Sequence, residues 1–276
     1  VILGSGEMYA WVGDQMKMLY STLLSVNVAE ILDDGAALVM LYAVFGFLGE
    51  VMHLPALRDH YLAMAEARLS TLQDAKAESE LYRISAALHL MKGQWGTAQL
   101  LYERAMTLAR GIANAPLYFF NLAQHATVNY WRADYAAADT DAAMLNEDAR
   151  RDGYPQYQVW ALGTMGATAL RRGSLASARR VLDEGYALAR REQAIPSLIF
   201  VAGLRALTAL RQCDPQAARR MADETVADMG RTALTGHGAL EGYMSTLETY
   251  LELAEAQPAG AARDELLSTL AKLLPG

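Results

Sequence analysis

The residues best suited to chemistry are Gly93-Gln-Trp-Gly96, at the head of the stretch GQWGTAQLLYERAMTLAR. Two glycines ahead of a helix can present backbone N–H groups to a phosphate. A phosphate loop also needs a following Lys-Ser/Thr, and a dinucleotide loop needs a strand before it. Here Thr97 and Ala98 follow, and LYRISAALHLMK precedes with helical spacing. The five histidines, His53, His60, His89, His125 and His237, form no HExxH and no i, i+4 pair, so no metal site is expected. No GxSxG, SxxK or convincing carboxylate pair occurs, and the single Cys213 builds neither a disulfide framework nor a thiolate zinc site. The chain is therefore expected to be no enzyme, with no catalytic residue, cofactor or metal. Paired arginines (150–151, 171–172, 179–180, 190–191, 219–220) have acidic neighbours and read as a solvated outer face.

What would position such residues is a repeat. Ala98, Tyr102 and Ala105 mark one helix face at i, i+4, i+7. Alanine returns at Ala138, Ala178 and Ala218, each forty residues on, and Ala56 precedes Ala98 by 42. Five residues before the later four stand Gly93, Ala133, Gly173 and Cys213, small residues after helical runs. Arg110, Arg150 and Arg190 keep the same period at helix C-termini, where a cation meets the negative end of the dipole. The unit is a helical hairpin. Its A helices are expected over 35–51, 74–92, 114–132, 155–172, 195–212 and 235–257, and its B helices over 54–71, 94–110, 134–150, 174–191, 214–229 and 260–274. Thr97 and Ser174 lie near B starts, and Asp134 and Asp214 are candidate N-caps. Met8 to Leu32 reads as a further helix or bent pair.

The expected fold is all-α: an α-solenoid of about six to seven antiparallel hairpins in a right-handed superhelix, one domain over 1–276. Within it, 1–33 is an N-terminal helix or partial repeat, 34–257 the repeats and 258–276 a capping helix. Composition agrees, with 53% hydrophobic and 20% charged residues and few prolines. A net charge of −7 argues against a nucleic-acid partner. Residues 35–49 carry no charge, but they fall short of the roughly 20 residues that span a bilayer, so no membrane partner is expected. The scarcity of cysteine suits the reducing cytoplasm. A start at Val1 suggests a piece of a longer chain.

The Gly93, Ala98, Tyr102, Ala105 pattern resembles the tetratricopeptide repeat, in which a small residue closes the hairpin and two alanines mark helix B. Gly173, Ala178, Leu182 and Gly185 follow it less closely, and Ala138 and Ala218 weakly. The period is longer than that family's, and HEAT-type repeats have this length but carry prolines inside helix A. LYERAMTLAR, VWALGTMGATALRRGSLASARRVLDEGYALAR and LEGYMSTLETYLELAEA resemble the helical sensor regions of bacterial STAND-type ATPase signalling proteins, cyclase-linked or LuxR-type. That resemblance implies a non-catalytic regulatory module attached to ATPase and effector domains. It also implies a protein, peptide or small effector molecule held against the A helices, on the concave side.

The A helices supply a candidate lining. Phe120, Trp160 and Phe200 keep the forty-residue period, and the same face continues through Gln124, Thr127 and Trp131, then Thr164 and Arg171, then Arg211. Aromatic groups ending in polar and cationic ones suit a peptide or a small polar ligand. The same ladder could instead be packing between successive A helices. A scaffold or oligomerisation role without ligand is the alternative, and a helical-hairpin enzyme a more distant one. Asn121, His125 and Asn129 form a second stripe, which faces solvent or bonds into a neighbouring hairpin, since buried polar groups need partners.

Overall fold

Helix boundaries in this chain are set by punctuation as much as by propensity. The computed structural model describes residues 15–231 and 238–273; the expected helical turns at 8–14 and 235–237, and with them His237, lie outside those residues. Among the described residues there are thirteen helices and no strand: α1 Gln15–Leu32, α2 Gly35–Val51, α3 Pro55–Leu69, α4 Ala75–Met91, α5 Trp95–Gly111, α6 Ala115–Trp131, α7 Tyr135–Asp152, α8 Pro155–Arg171, α9 Leu175–Arg191, α10 Ile195–Arg211, α11 Pro215–Met229, α12 Ala239–Glu255 and α13 Ala261–Leu273. The expected A and B helices are met within two residues at each end, except that the last A helix starts at Ala239. The fold is all-α and solenoid-like, built from consecutive hairpins.

Two compact units divide the described residues, 15–141 and 142–273. The first holds α1, the hairpins α2/α3 and α4/α5, and α6 with the start of α7. The second holds the rest of α7 and the hairpins α8/α9, α10/α11 and α12/α13.

Gly93 shows how one helix ends and the next begins. Its φ of 70° is left-handed, and no heavy atom lies within 4 Å of where a Cβ would sit, so the backbone turn alone calls for glycine. Its N–H donates to the Leu90 carbonyl at 3.0 Å, and the Gln94 N–H donates to the His89 carbonyl at 2.9 Å. These two bonds satisfy carbonyls that a helix end leaves open. Gln94 is at once the N-cap of α5. The same pair of bonds recurs at 33/34, 53/54, 113/114, 133/134, 173/174, 193/194 and 213/214. Asp34, Asn114, Asp134 and Asp214, each one step past a left-handed residue, accept an N–H of the helix that follows. Ser174 is an N-cap without a side-chain bond, and Thr97 lies inside α5. Gly93-x-x-Gly96 is thus a hairpin corner.

The hairpins close through small residues. Ala98, Ala138, Ala178 and Ala218 are fully buried on the B helices. Facing positions on the A helices, Gly46, Ala86, Ala126, Gly166 and Ala206, are also small and also forty apart. A Cβ on Gly46 would stand 2.7 Å from Leu62, and one on Gly166 2.4 Å from Leu182. One expectation is corrected here: Ala56 is exposed and is not the first hairpin's counterpart of Ala98. The corners at His53 and Gly93 are forty residues apart, so the register position belongs to Arg58. Gly49 on α2 compensates, lying so close that its Cβ would stand 2.6 Å from the Arg58 backbone nitrogen.

Among the described residues six left-handed positions lack glycine: Asp33, His53, Ala113, Ala133, Gln193 and Cys213. An L-residue there costs roughly 1–2 kcal/mol, partly offset because glycine would loosen the unfolded chain. Cys213→Gly is therefore expected to stabilise the protein by about 0.5–1 kcal/mol, read as a higher urea midpoint at unchanged m. A lower midpoint would contradict the strain assigned to this corner.

Candidate ligand-facing surface and buried polar links

In the first unit the A helices α2, α4 and α6 share one register, so positions forty residues apart present the same face. Val51, Met91 and Trp131 make one row at the helix C-termini, 47%, 53% and 43% exposed. Phe47, Ala87 and Thr127 make a second, half-buried row. Met40 and Phe120 are half-buried on a third, with Glu80 buried between them in sequence register. Val44 and Gln124 are half-buried on a fourth, at the register of buried Ile84. Arg83 lies over the Phe120 ring, 4.8 Å from its centroid, and its Nε is 2.6 Å from Glu80 Oε2. The guanidinium stacks on an aromatic face while a carboxylate holds it in place. Thr127 Oγ1 donates to the Ala123 carbonyl at 3.0 Å. Phe120, Gln124, Thr127 and Trp131 thus stand together on one partly open face of α6. The ladder also runs backwards, to Met40, Phe47, Val51 and Met91, which the forward projection from Phe120 passes over.

The second unit differs. Trp160 and Phe200 are 1% and 3% exposed, and Thr164 is also buried, so the expectation that these aromatics stand in an open groove is corrected. Trp160 Nε1 donates to Ser197 Oγ at 3.0 Å, and Tyr157 meets its ring edge-on at 5.2 Å. Gln156 Nε2 donates to the same hydroxyl. Phe200 packs against glycines: a Cβ on Gly163 would stand 2.3 Å from its ring and one on Gly238 2.4 Å. The cause is a backbone crossing of α10 and α12. A Cβ on Gly203 would be 1.9 Å from the Gly242 carbonyl oxygen, and one on Gly242 2.2 Å from the Ile199 oxygen. Two glycines let α12 come down directly on α10. Arg171 and Arg211 are exposed and pair with α12: Arg171 with Glu241 at 3.3 Å, Arg211 Nη2 with Glu248 at 2.6 Å and with Glu252 at 2.7 Å. The hydrogen bond to Glu252, against a smaller opposing effect of burial, raises the Arg211 pKa further above its usual value.

The polar stripe on α6 is buried and bonded. Asn121 Nδ2 donates to the Leu117 carbonyl at 2.8 Å. His125 Nδ1 is 2.8 Å from Asp141 Oδ2 on α7, and Asn129 Nδ2 donates to that same oxygen at 2.9 Å. His125 Nε2 lies 3.4 Å from Glu103 on α5, in the preceding hairpin. In the second unit Arg205 Nε is 2.7 Å from Asp183 Oδ1, with Tyr186 under the guanidinium at 3.9 Å and Arg179 2.8 Å from the other Asp183 oxygen. Burial pushes the Asp183 carboxyl up, but the Arg179 and Arg205 bonds outweigh it and leave it below its usual value. Residue-type motifs do not reveal these pairs. The period does: Glu103 and Asp183 are eighty residues apart, and so are His125 and Arg205.

Among the described residues no group of three or more His, Cys, Asp or Glu could hold a metal ion. No described helix, α2 with its uncharged run at 35–49 included, is long and apolar enough to cross a membrane. No protein-family model matches the chain, and no curated protein matches it either. Among solved structures it is similar to BtubC (BKLC) from P. vanneervenii, with a TM-score of 0.64 and 16% identity over 78% of this chain and 91% of that one. A likeness at that identity is one of fold.

Two substitutions check the closed face of the second unit. Gly203→Ala would push chiefly against the Gly242 backbone, with the Thr246 hydroxyl beside it, and is expected to cost about 3 kcal/mol or more. Ser197→Ala removes the acceptor of the buried Trp160 N–H and is expected to cost about 1–3 kcal/mol. Urea melts followed by Trp fluorescence read both, and a neutral Gly203→Ala would disprove the close crossing.

Proposed function

We propose that this chain is a non-catalytic recognition module whose first unit binds an apolar peptide segment of a partner protein across α2, α4 and α6. The observation that carries the reading is the exposed row Val51, Met91 and Trp131. Three large apolar side chains stand at one register position of three successive A helices, with Phe47 and Phe120 half-open on the same helices. Isolated exposed hydrophobics are ordinary, whereas a contiguous set on one face suits a docking surface. Trp131 is the natural anchor, because large aromatic groups dominate binding energy when a partner desolvates them. Arg83, held over Phe120 by Glu80, offers a fixed cation for a carbonyl or carboxylate of the segment. Hairpin stacking and the tetratricopeptide-like corner at Gly93 support the same reading. The resemblance to bacterial sensor regions extends it to a cytoplasmic regulatory piece of a larger signalling or transcription-regulatory protein, with ATPase and effector domains attached.

A scaffold role has its own support, from Trp160 and Phe200, which spend their apolar surface inside the second unit. Selection of a displayed peptide library on the chain separates the two. Peptides rich in apolar residues are expected to enrich, and Trp131→Ala is expected to weaken the best of them by about 30-fold, the effect of losing roughly 2 kcal/mol. Thermal stability should fall far less than for a core tryptophan, since Trp131 is 43% exposed. A selection that yields no peptide, or peptides indifferent to both Trp131→Ala and Phe120→Ala, favours the scaffold and rejects the docking face.

A further inference from the structure

Three helices of the first unit meet at His125, which is 8% exposed. On one side Nδ1 contacts Asp141 of α7, whose carboxylate Asn129 also holds. On the other side Nε2 points toward Glu103 of α5, 3.4 Å away, and makes no hydrogen bond in this geometry. The groups facing the ring are thus Glu103 from α5, Asp141 from α7 and Asn129 from its own helix. Eighty residues on, the repeat builds the corresponding contact with Arg205 and Asp183. One link between successive hairpins uses a permanent cation; the other uses a side chain that titrates near neutrality.

We propose that His125 is a proton-operated latch between the second and third hairpins, holding α6 to both α5 and α7 when charged and releasing α5 when neutral. The reason lies in the ring's two nitrogens. With Nδ1–H donating to Asp141, a neutral imidazole has only a lone pair at Nε2, and it faces the Glu103 carboxylate. Protonation places an N–H there, turning a repulsion into an ion pair and giving the buried nitrogen a partner. Burial alone opposes the charge, but the Asp141 hydrogen bond and the charges of Asp141 and Glu103 outweigh it, so the His125 pKa lies above its ordinary value. A histidine raised on folding adds stability that is complete below its unfolded pKa of about 6.5 and is lost as pH rises through the folded value.

The test follows the imidazole of His125 in the whole chain by NMR, assigned by its absence in His125→Gln, together with melting curves across the same pH range. The His125 midpoint is expected above about 6.5, and Glu103→Gln should lower it. The parent should lose about 2–4 °C of Tm between roughly pH 6 and pH 9 that His125→Arg, the counterpart of Arg205, does not lose. Comparison of the two chains isolates the contribution of this one side chain. A midpoint at or below 6.5 in the parent, or an unchanged pH slope in His125→Arg, overturns the latch. The NMR titration needs no variant to be stable beyond its use for assignment.

Discussion

A left-handed residue at the end of a helix, followed at once by the N-cap of the next, is the constraint on which this architecture rests. Nine described helices stop this way, at positions 33, 53, 93, 113, 133, 153, 173, 193 and 213, every twenty residues apart from the gap at 73. Such a corner satisfies the outgoing helix's carbonyls and supplies the first carbonyl or side-chain acceptor of the incoming one. Because these corners recur at multiples of twenty residues, side chains forty residues apart fall into rows. Every other regularity of the molecule follows from that register: the small residues where A meets B, the exposed apolar row, and the carboxylate–cation links between hairpins.

Within this register the two units use the same positions to different ends. Positions 51, 91 and 131 are apolar and exposed, while positions 171 and 211 are arginines engaged with glutamates of α12. The ladder positions 160 and 200 are core: Trp160 packs against Tyr157 and bonds Ser197, while Phe200 lies against Gly163 and Gly238 beside the Gly203–Gly242 crossing. A single backbone approach thus decides whether an A-helix face is open or closed. Glycine at both crossing positions removes the side chains that would otherwise keep α10 and α12 apart.

The sequence discloses some of the candidate surface and conceals the rest, for reasons that differ by residue. Phe120, Gln124, Thr127 and Trp131 share a stripe because helical spacing determines which side chains are neighbours on one helix. Met40, Phe47, Val51 and Met91 are legible from the same period once it is run toward the N-terminus. The uncharged run in α2 disguises them, since uniform hydrophobicity hides which side of a helix is buried. Ala56 misleads because alanine is common and a spacing of 42 is close to forty; the corner at His53 gives the register instead. Asp141 and Glu103 look like ordinary solvated acids of a B helix; the period relates Glu103 to Asp183, whereas only its approach to His125 distinguishes Asp141.

What the sequence determines by itself is whatever depends on neighbours along the chain. Helix spans, corners, caps and the forty-residue period are local consequences of spacing, glycine and side-chain acceptors. What the tertiary structure alone decides is which equivalent positions are covered. Phe120 and Phe200 are the same residue type at the same register, yet one lies half open beneath Arg83 and the other is sealed against Gly163 and Gly238. Periodicity specifies the direction in which a side chain points along its own helix. The distance to the next helix depends on small residues far away in the chain, and that distance separates a surface from a core.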